Sequence, residues 1–246
     1  MPARDAQPQF LEPLLGVVFD LDGTLILSHH DFGRIRREVI RVAERHGVVP
    51  GRLTVQDPVH RIVENAREIL RTSGAADGEI WRFDAEYGKA IDSIELEALP
   101  ATVPRRGAEP LLSGLARRGF RLGLLTRSSE TFARAALTRT RLDPYFGYLR
   151  TRSSPGPAKP SPEALLLLLH EMGVPLERAL FVGDHLLDAE CAIAARVRFY
   201  GVLSDPSETP LEPMTPDRFL AAGAAAVAHD LDELSRQLGV VAPRAA

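Results

Sequence analysis

The stretch Leu14-Leu15-Gly16-Val17-Val18-Phe19-Asp20-Leu21-Asp22-Gly23-Thr24 decides the fold of this chain. Its first six residues are apolar without interruption, the pattern of a strand buried on both faces of a parallel sheet. The run then stops at an Asp-x-Asp-Gly turn. Similar apolar runs follow at 121–126, 179–182, 197–202 and 224–227, and the segments 107–118, 129–138, 161–172, 187–195 and 230–238 between and around them read as helices. Strands alternating with helices predict an α/β fold, a doubly wound, Rossmann-like parallel sheet.

From Leu25 to about Pro104 the alternation is replaced by three amphipathic helical patterns. Phe32, Ile35, Val39, Val42 and His46 make one stripe. Val59, Ile62, Val63, Ala66, Ile69 and Leu70 make a second, with Asp57 expected as N-cap and Pro58 at the first helical position. Ile80, Phe83, Tyr87, Ile91 and Ile94 make the third, and Trp81 is expected to pack with Phe83 and Tyr87. The chain thus divides into an α/β core domain, residues 1–27 and 100–246, and a small helical cap domain, residues 28–99. The Pro-rich stretch from Ser204 to Pro216 reads as a surface loop.

Composition narrows the function. Thirty basic against 33 acidic residues leave a net charge of −3, which predicts no nucleic acid and no membrane partner. No apolar run approaches the roughly 20 residues of a membrane span, and the opening residues MPARDAQPQFLEP lack a signal peptide's apolar stretch. The single cysteine, Cys191, cannot form an internal disulfide or a Cys-rich zinc site. It is expected to be a small buried hydrophobe in a cytoplasmic protein, monomer or homodimer. Only Lys89 and Lys159 among the 30 basic residues are lysines.

Ligands of open parallel sheets bind at the carboxyl ends of the strands, so the polar residues closing each apolar run are the candidate site. These are Asp20 and Asp22, then Thr126 with Arg127, then Asp184 with Asp188 a helical turn on; Lys159 lies between the last two groups. Carboxylates converging at one edge repel one another unless a cation neutralises them. Oxygen ligands suit Mg²⁺, which is commonly held by one or two carboxylates together with a substrate phosphate.

Four segments of this chain resemble, in order, the four motifs of the haloacid dehalogenase (HAD) superfamily: Val18-Phe19-Asp20-Leu21-Asp22-Gly23-Thr24-Leu25, Leu125-Thr126-Arg127-Ser128, Lys159-Pro160, and Val182-Gly183-Asp184-His185-Leu186-Leu187-Asp188. The helical insert is similar to the cap of the subgroup containing phosphoglycolate phosphatase and β-phosphoglucomutase. The resemblance implies a Mg²⁺-dependent phosphatase acting on a small phosphorylated metabolite through an aspartyl-phosphate. It implies Asp20 as nucleophile and metal ligand, and Asp22 as general acid and base that also offers its backbone carbonyl to the metal. Thr126 and Lys159 would bind the phosphoryl group, and Asp184 would complete the metal site with Asp188 nearby. The dehalogenase branch lacks an acid at the position of Asp22, so an aspartate there favours phosphoryl transfer. A phosphomutase is the enzymatic alternative, and a noncatalytic binding protein the alternative of another class; the latter would tolerate loss of motif residues, and none is lost. Two positions depart from the family pattern, Arg127 where Asn is frequent and His185 where Ser is frequent.

On the first insert helix, at about 100° per residue, Arg34, Arg37, Arg41 and Arg45 fall opposite the apolar stripe and read as solvated. Arg36 falls at its edge, where a charge needs a partner, and is a candidate contact for an anionic substrate, as Arg127 is. His29 and His30 are expected to be solvated.

Overall fold

The computed structural model describes residues 13–204 and 214–240. Gly16–Phe19 forms β1, wholly buried, and Ile26–Leu27 forms the short β2. The insert supplies α1 (Phe32–Arg45), α2 (Val59–Thr72) and α3 (Asp77–Ala98), and the chain returns through β3 (Val103–Pro104). Then follow α4 (Ala108–Arg117), β4 (Arg121–Leu125), α5 (Glu130–Thr140), β5 (Tyr148–Arg150), α6 (Pro162–Met172), β6 (Ala179–Gly183) and α7 (Leu186–Ala194). The last described elements are β7 (Arg198–Val202), α8 (Pro216–Ala221), β8 (Ala226–Ala228) and α9 (Leu231–Gln237). The Ser204–Pro216 loop falls largely on 205–213, outside the described residues, as do the opening residues 1–12.

Two compact units result, one of 1–28 with 102–246, the other of His29–Ala101. In the first, six parallel strands run in the order β5-β4-β1-β6-β7-β8. The chain winds outward from β1 in both directions, so the order reverses beside β1 and opens a crevice at the carboxyl ends of β4, β1 and β6. This is the doubly wound α/β sheet that the apolar runs predict. Side chains alternate across it. Val18, Phe181 and Phe199 pack on α6 and α7 with Leu165, Leu168, Met172 and Cys191, leaving Val17, Phe19 and Tyr200 for the opposite face. Cys191 is fully buried, as expected of a small hydrophobe.

All five predicted strands are present within one or two residues, the ordinary uncertainty of element ends. The sixth, β5, is new. It is three residues long, half-exposed, and paired on one side only, so it carries no apolar run. Helix α8 is also new; Thr215 caps it by accepting from the Arg218 N–H at 3.3 Å, with Pro216 at its first position. An antiparallel ribbon of β2 and β3, Ile26 opposite Pro104 and Leu27 opposite Val103, ties together the two points where the chain leaves and re-enters the first unit.

In the helical unit the three stripes meet in one core of Ile35, Val39, Val42, Ile62, Val63, Ala66, Leu70, Ile80, Phe83, Tyr87, Ile91 and Ile94. Three expectations need correction. Helix α2 is capped one residue later than predicted, by Pro58, with no side-chain cap hydrogen bond. Trp81 is 70% exposed, because one step of 100° from Ile80 turns it out of the stripe. His30 is buried, edge-on to Phe32 at 5.8 Å, whereas His29 is exposed with φ +52°. Among the arginines of α1, Arg34, Arg37, Arg41 and Arg45 are exposed and Arg36 is half-buried, the division that helical angle predicts.

Candidate active site

Parallel registry assembles the site. Phe19 stands opposite Leu124 on one side and Val182 on the other, so the residues just past these strand ends, Asp20, Thr126 and Asp184, share one edge. The Asp20 N–H donates to Val182 O at 2.9 Å, and the Thr126 N–H to Arg150 O at 3.0 Å. Behind Asp20 the chain folds back on itself: the Gly23 N–H donates to Ile26 O at 2.8 Å and the Leu25 N–H to Leu21 O at 2.8 Å. Gly23 has φ +86°, and a Cβ there would lie 2.2 Å from Asp184 Oδ2. Glycine is required by both the left-handed backbone and the close approach.

Lys159 is buried between two carboxylates. Its Nζ donates to Asp20 Oδ1 and, at 2.7 Å, to Asp188 Oδ1. The second Asp188 oxygen accepts the His185 N–H at 3.1 Å. Asp184 is held by the Thr24 hydroxyl at 2.8 Å and the Ser204 hydroxyl at 3.0 Å. Asp22 points its Oδ1 at Ser28, which donates its hydroxyl at 2.5 Å and its N–H at 3.1 Å. Thr126 Oγ1 accepts the Ser128 N–H at 3.1 Å.

Charge in this cluster is unbalanced. Carboxylate oxygens of Asp20, Asp184 and Asp188 lie within 4.8 Å of one another, and the one ammonium among them leaves two negative charges over. Burial pushes the Asp20 carboxyl well above the usual carboxylate range; Lys159 opposes this, and Asp188 and Asp184 add to it. Burial likewise raises Asp184 to about 6, with Asp188 adding. Burial by itself would lower the Lys159 ammonium, but Asp188 and Asp20 more than compensate and hold it above an ordinary lysine. Two surplus negative charges on oxygen donors suit one hard divalent cation.

The other candidates are placed differently. Arg127 donates through Nη1 to the carbonyl of Lys159. His185 caps α7, its Nδ1 accepting the Leu187 N–H at 3.1 Å. Arg36 belongs to the helical unit, where Nε donates to Phe32 O at 3.1 Å and Nη1 to Val55 O at 3.2 Å.

Sequence reasoning missed three contributors. Ser204 is a polar residue just past the fourth apolar run, so the strand-end rule could have found it. Ser28 carries no such signal. Neither does Arg105, a buried guanidinium donating to Gly23 O at 2.7 Å and Leu203 O at 2.8 Å, which holds the Asp20–Gly23 turn against the end of β7.

A parallel α/β sheet carrying buried carboxylates and a lysine at its switch point is the framework of an enzyme rather than a structural module. The chain belongs to the haloacid dehalogenase-like hydrolase family, which residues 14–196 match. It is 30% identical over 192 residues to the phosphoglycolate phosphatase of Pseudomonas putida, covering 76% of this chain and 68% of that protein. It is also 30% identical over 196 residues to the N-acetylmuramic acid 6-phosphate phosphatase of Pseudomonas aeruginosa, covering 72% of this chain and 76% of that one. A haloacid dehalogenase-like hydrolase from Bacteroides fragilis superposes with a TM-score of 0.63 at 26% identity, over 90% of this chain and 99% of its own. Among the described residues no helix is long and apolar enough to cross a membrane.

Proposed function

We propose that this chain is a Mg²⁺-dependent phosphatase of small phosphorylated metabolites that works through a phosphoryl group carried on Asp20. The observation that carries the reading is the pairing of Asp20 with buried Lys159, together with a second carboxylate, Asp22, two residues on and anchored by Ser28. Lys159 orients the attacking carboxylate and offsets the charge of the incoming phosphate. An Asp20 oxygen bonds to phosphorus as the ester P–O bond breaks, and Asp22 gives its proton to the departing oxygen. Asp22, now ionised, takes a proton from water as that water attacks phosphorus, which releases inorganic phosphate and restores Asp20. The Thr126 hydroxyl, whose oxygen accepts the Ser128 N–H, would donate its proton to a phosphoryl oxygen.

Asp20, Asp184 and Asp188, with the Asp22 carbonyl, would hold Mg²⁺. The bound ion supplies positive charge that lets the carboxylates stay ionised beside phosphate. Residues 29–101, inserted between β2 and β3, serve as a cap that selects the substrate. The named relatives are a phosphoglycolate phosphatase and an N-acetylmuramic acid 6-phosphate phosphatase, which supports the reaction class.

The test is phosphate release from a panel of phosphorylated metabolites with Mg²⁺, using Asp20→Asn as control. Asp20→Asn should fold and lose turnover entirely, because the amide cannot form the acyl phosphate. Normal turnover by the folded variant would refute the assignment. Transfer of phosphate between sugar positions without release would identify a phosphomutase instead.

A further inference from the structure

Lys159 reaches Asp20 from an irregular segment, 151–161, that joins β5 to α6. Within that segment the hydrogen bonds join Thr151, Ser153 and Ser154 to one another and the Ser161 N–H to Ala158 O, and fixing the Lys159 side chain to about 0.5 Å takes further bonds. Three arginines supply them. Arg150, buried, donates to Pro155 O and at 2.7 Å to Glu171. Arg152 donates through Nη1 to Arg127 O at 3.0 Å and through its N–H to Ser128 O at 3.0 Å. Arg127, on the neighbouring strand-end loop, donates to the carbonyl of Lys159 itself.

We infer that Arg127 is a positioning residue: its guanidinium holds the main chain of Lys159 so that the ammonium reaches Asp20 and Asp188. The bond is charge-assisted and part-buried, the stronger kind. It joins the loop that carries Thr126 to the loop that carries Lys159, so two phosphate-binding groups of the proposed reaction are fixed relative to each other by one side chain. The geometric assignment stands on the hydrogen bonds, and its catalytic meaning rests on the function proposed above. Arg127 acts through Lys159 rather than as a contact for a second anionic group of the substrate.

The sequence provides an internal reference for the test. Lys159 is 3% exposed, and the only other lysine, Lys89, is exposed. Whole protein is labelled briefly with acetic anhydride, and the ratio of modification at Lys159 to that at Lys89 is read by peptide mass spectrometry. Arg127→Met, which keeps bulk and removes the donors, should raise the ratio about tenfold or more, the increase in local opening that follows loss of a charge-assisted hydrogen bond. Arg127→Lys, which restores one donor, should bring it back toward wild type, and exposed Arg37→Ala should leave it unchanged. Turnover of para-nitrophenyl phosphate should fall in kcat with Arg127→Met and recover in part with Arg127→Lys.

An unchanged ratio in folded Arg127→Met would overturn the inference, whether activity is retained or is lost only on substrates with a second anionic group. Should Arg127→Met fail to fold, Arg127→Gln carries the same comparison, with a donor on a shorter arm. The labelling ratio does not depend on catalysis, so it separates failure of this inference from failure of the proposed phosphatase reaction.

Discussion

At Gly23 the site depends on the absence of a single carbon. A methyl group there would meet Asp184 Oδ2 at 2.2 Å on a backbone with φ +86°, so Gly23→Ala should displace the Asp20–Asp22 turn. The expected result is loss of at least 10²-fold in kcat/KM, roughly the cost of misplacing reacting groups by an ångström, with the melting temperature showing that the fold persists; full activity would contradict this geometry. The Asp184 carboxyl makes a second prediction. Burial raises it to about 6 in the metal-free chain, so between ordinary carboxylate pH and that value the folded state holds more protons than the unfolded. Stability of the metal-free protein therefore falls as pH rises through this window. Mg²⁺ binds the ionised form, so its stabilising effect should be larger at about pH 7.5 than near pH 5. Melting curves with and without Mg²⁺ at both values check this, and an equal or larger shift at the acid end would contradict it. The motif carboxylates and Lys159 were legible in the sequence because each closes an apolar run or falls in a recognisable motif. Ser28 and Arg105 were not, since one hydroxyl in a linker and one arginine among many carry no pattern; only the turn they hold gives them a role.

Complete burial made the central strands the easiest elements to read. Strands β1 and β6 are buried at every residue and announce themselves as unbroken apolar runs. The edge strand β5 and the two-residue β2 and β3 have no such signature, because they are defined by the neighbour they pair with rather than by a face they bury. Helix α1 shows the value and the limit of helical angle. It separates Arg36 from Arg34, Arg37, Arg41 and Arg45, but it does not say what satisfies the half-buried charge. In the helical unit two carbonyls do so: Phe32 O on the same helix and Val55 O on the loop before α2. Arg36→Ala should therefore destabilise that unit by about 1 kcal/mol, the net worth of such bonds at a partly exposed position, whereas exposed Arg37→Ala should change it by less than about 0.5 kcal/mol. Denaturant titration of the two variants decides the matter, and equal effects would show that the Val55 contact does not brace the loop.

Across the whole molecule, near-neutral net charge coexists with one densely acidic point. The chain carries only −3 overall, yet three carboxylates, two of them buried, face a single ammonium at the sheet's switch point. Such concentration of like charge is tolerated where a cation and a phosphate complete it, and that balance is the centre of the proposed function. The most direct measurement uses Asp22→Asn with para-nitrophenyl phosphate and Mg²⁺. The nitrophenolate leaves without needing a proton, while attack of water loses its general base, typically worth 10²–10⁴-fold. The account predicts a burst of nitrophenolate approaching one equivalent per enzyme, followed by slow turnover, and an acid-quenched protein whose added phosphoryl group maps to Asp20. Steady release with no burst and no modification at Asp20, or a phosphoryl group mapping to another residue, would contradict it.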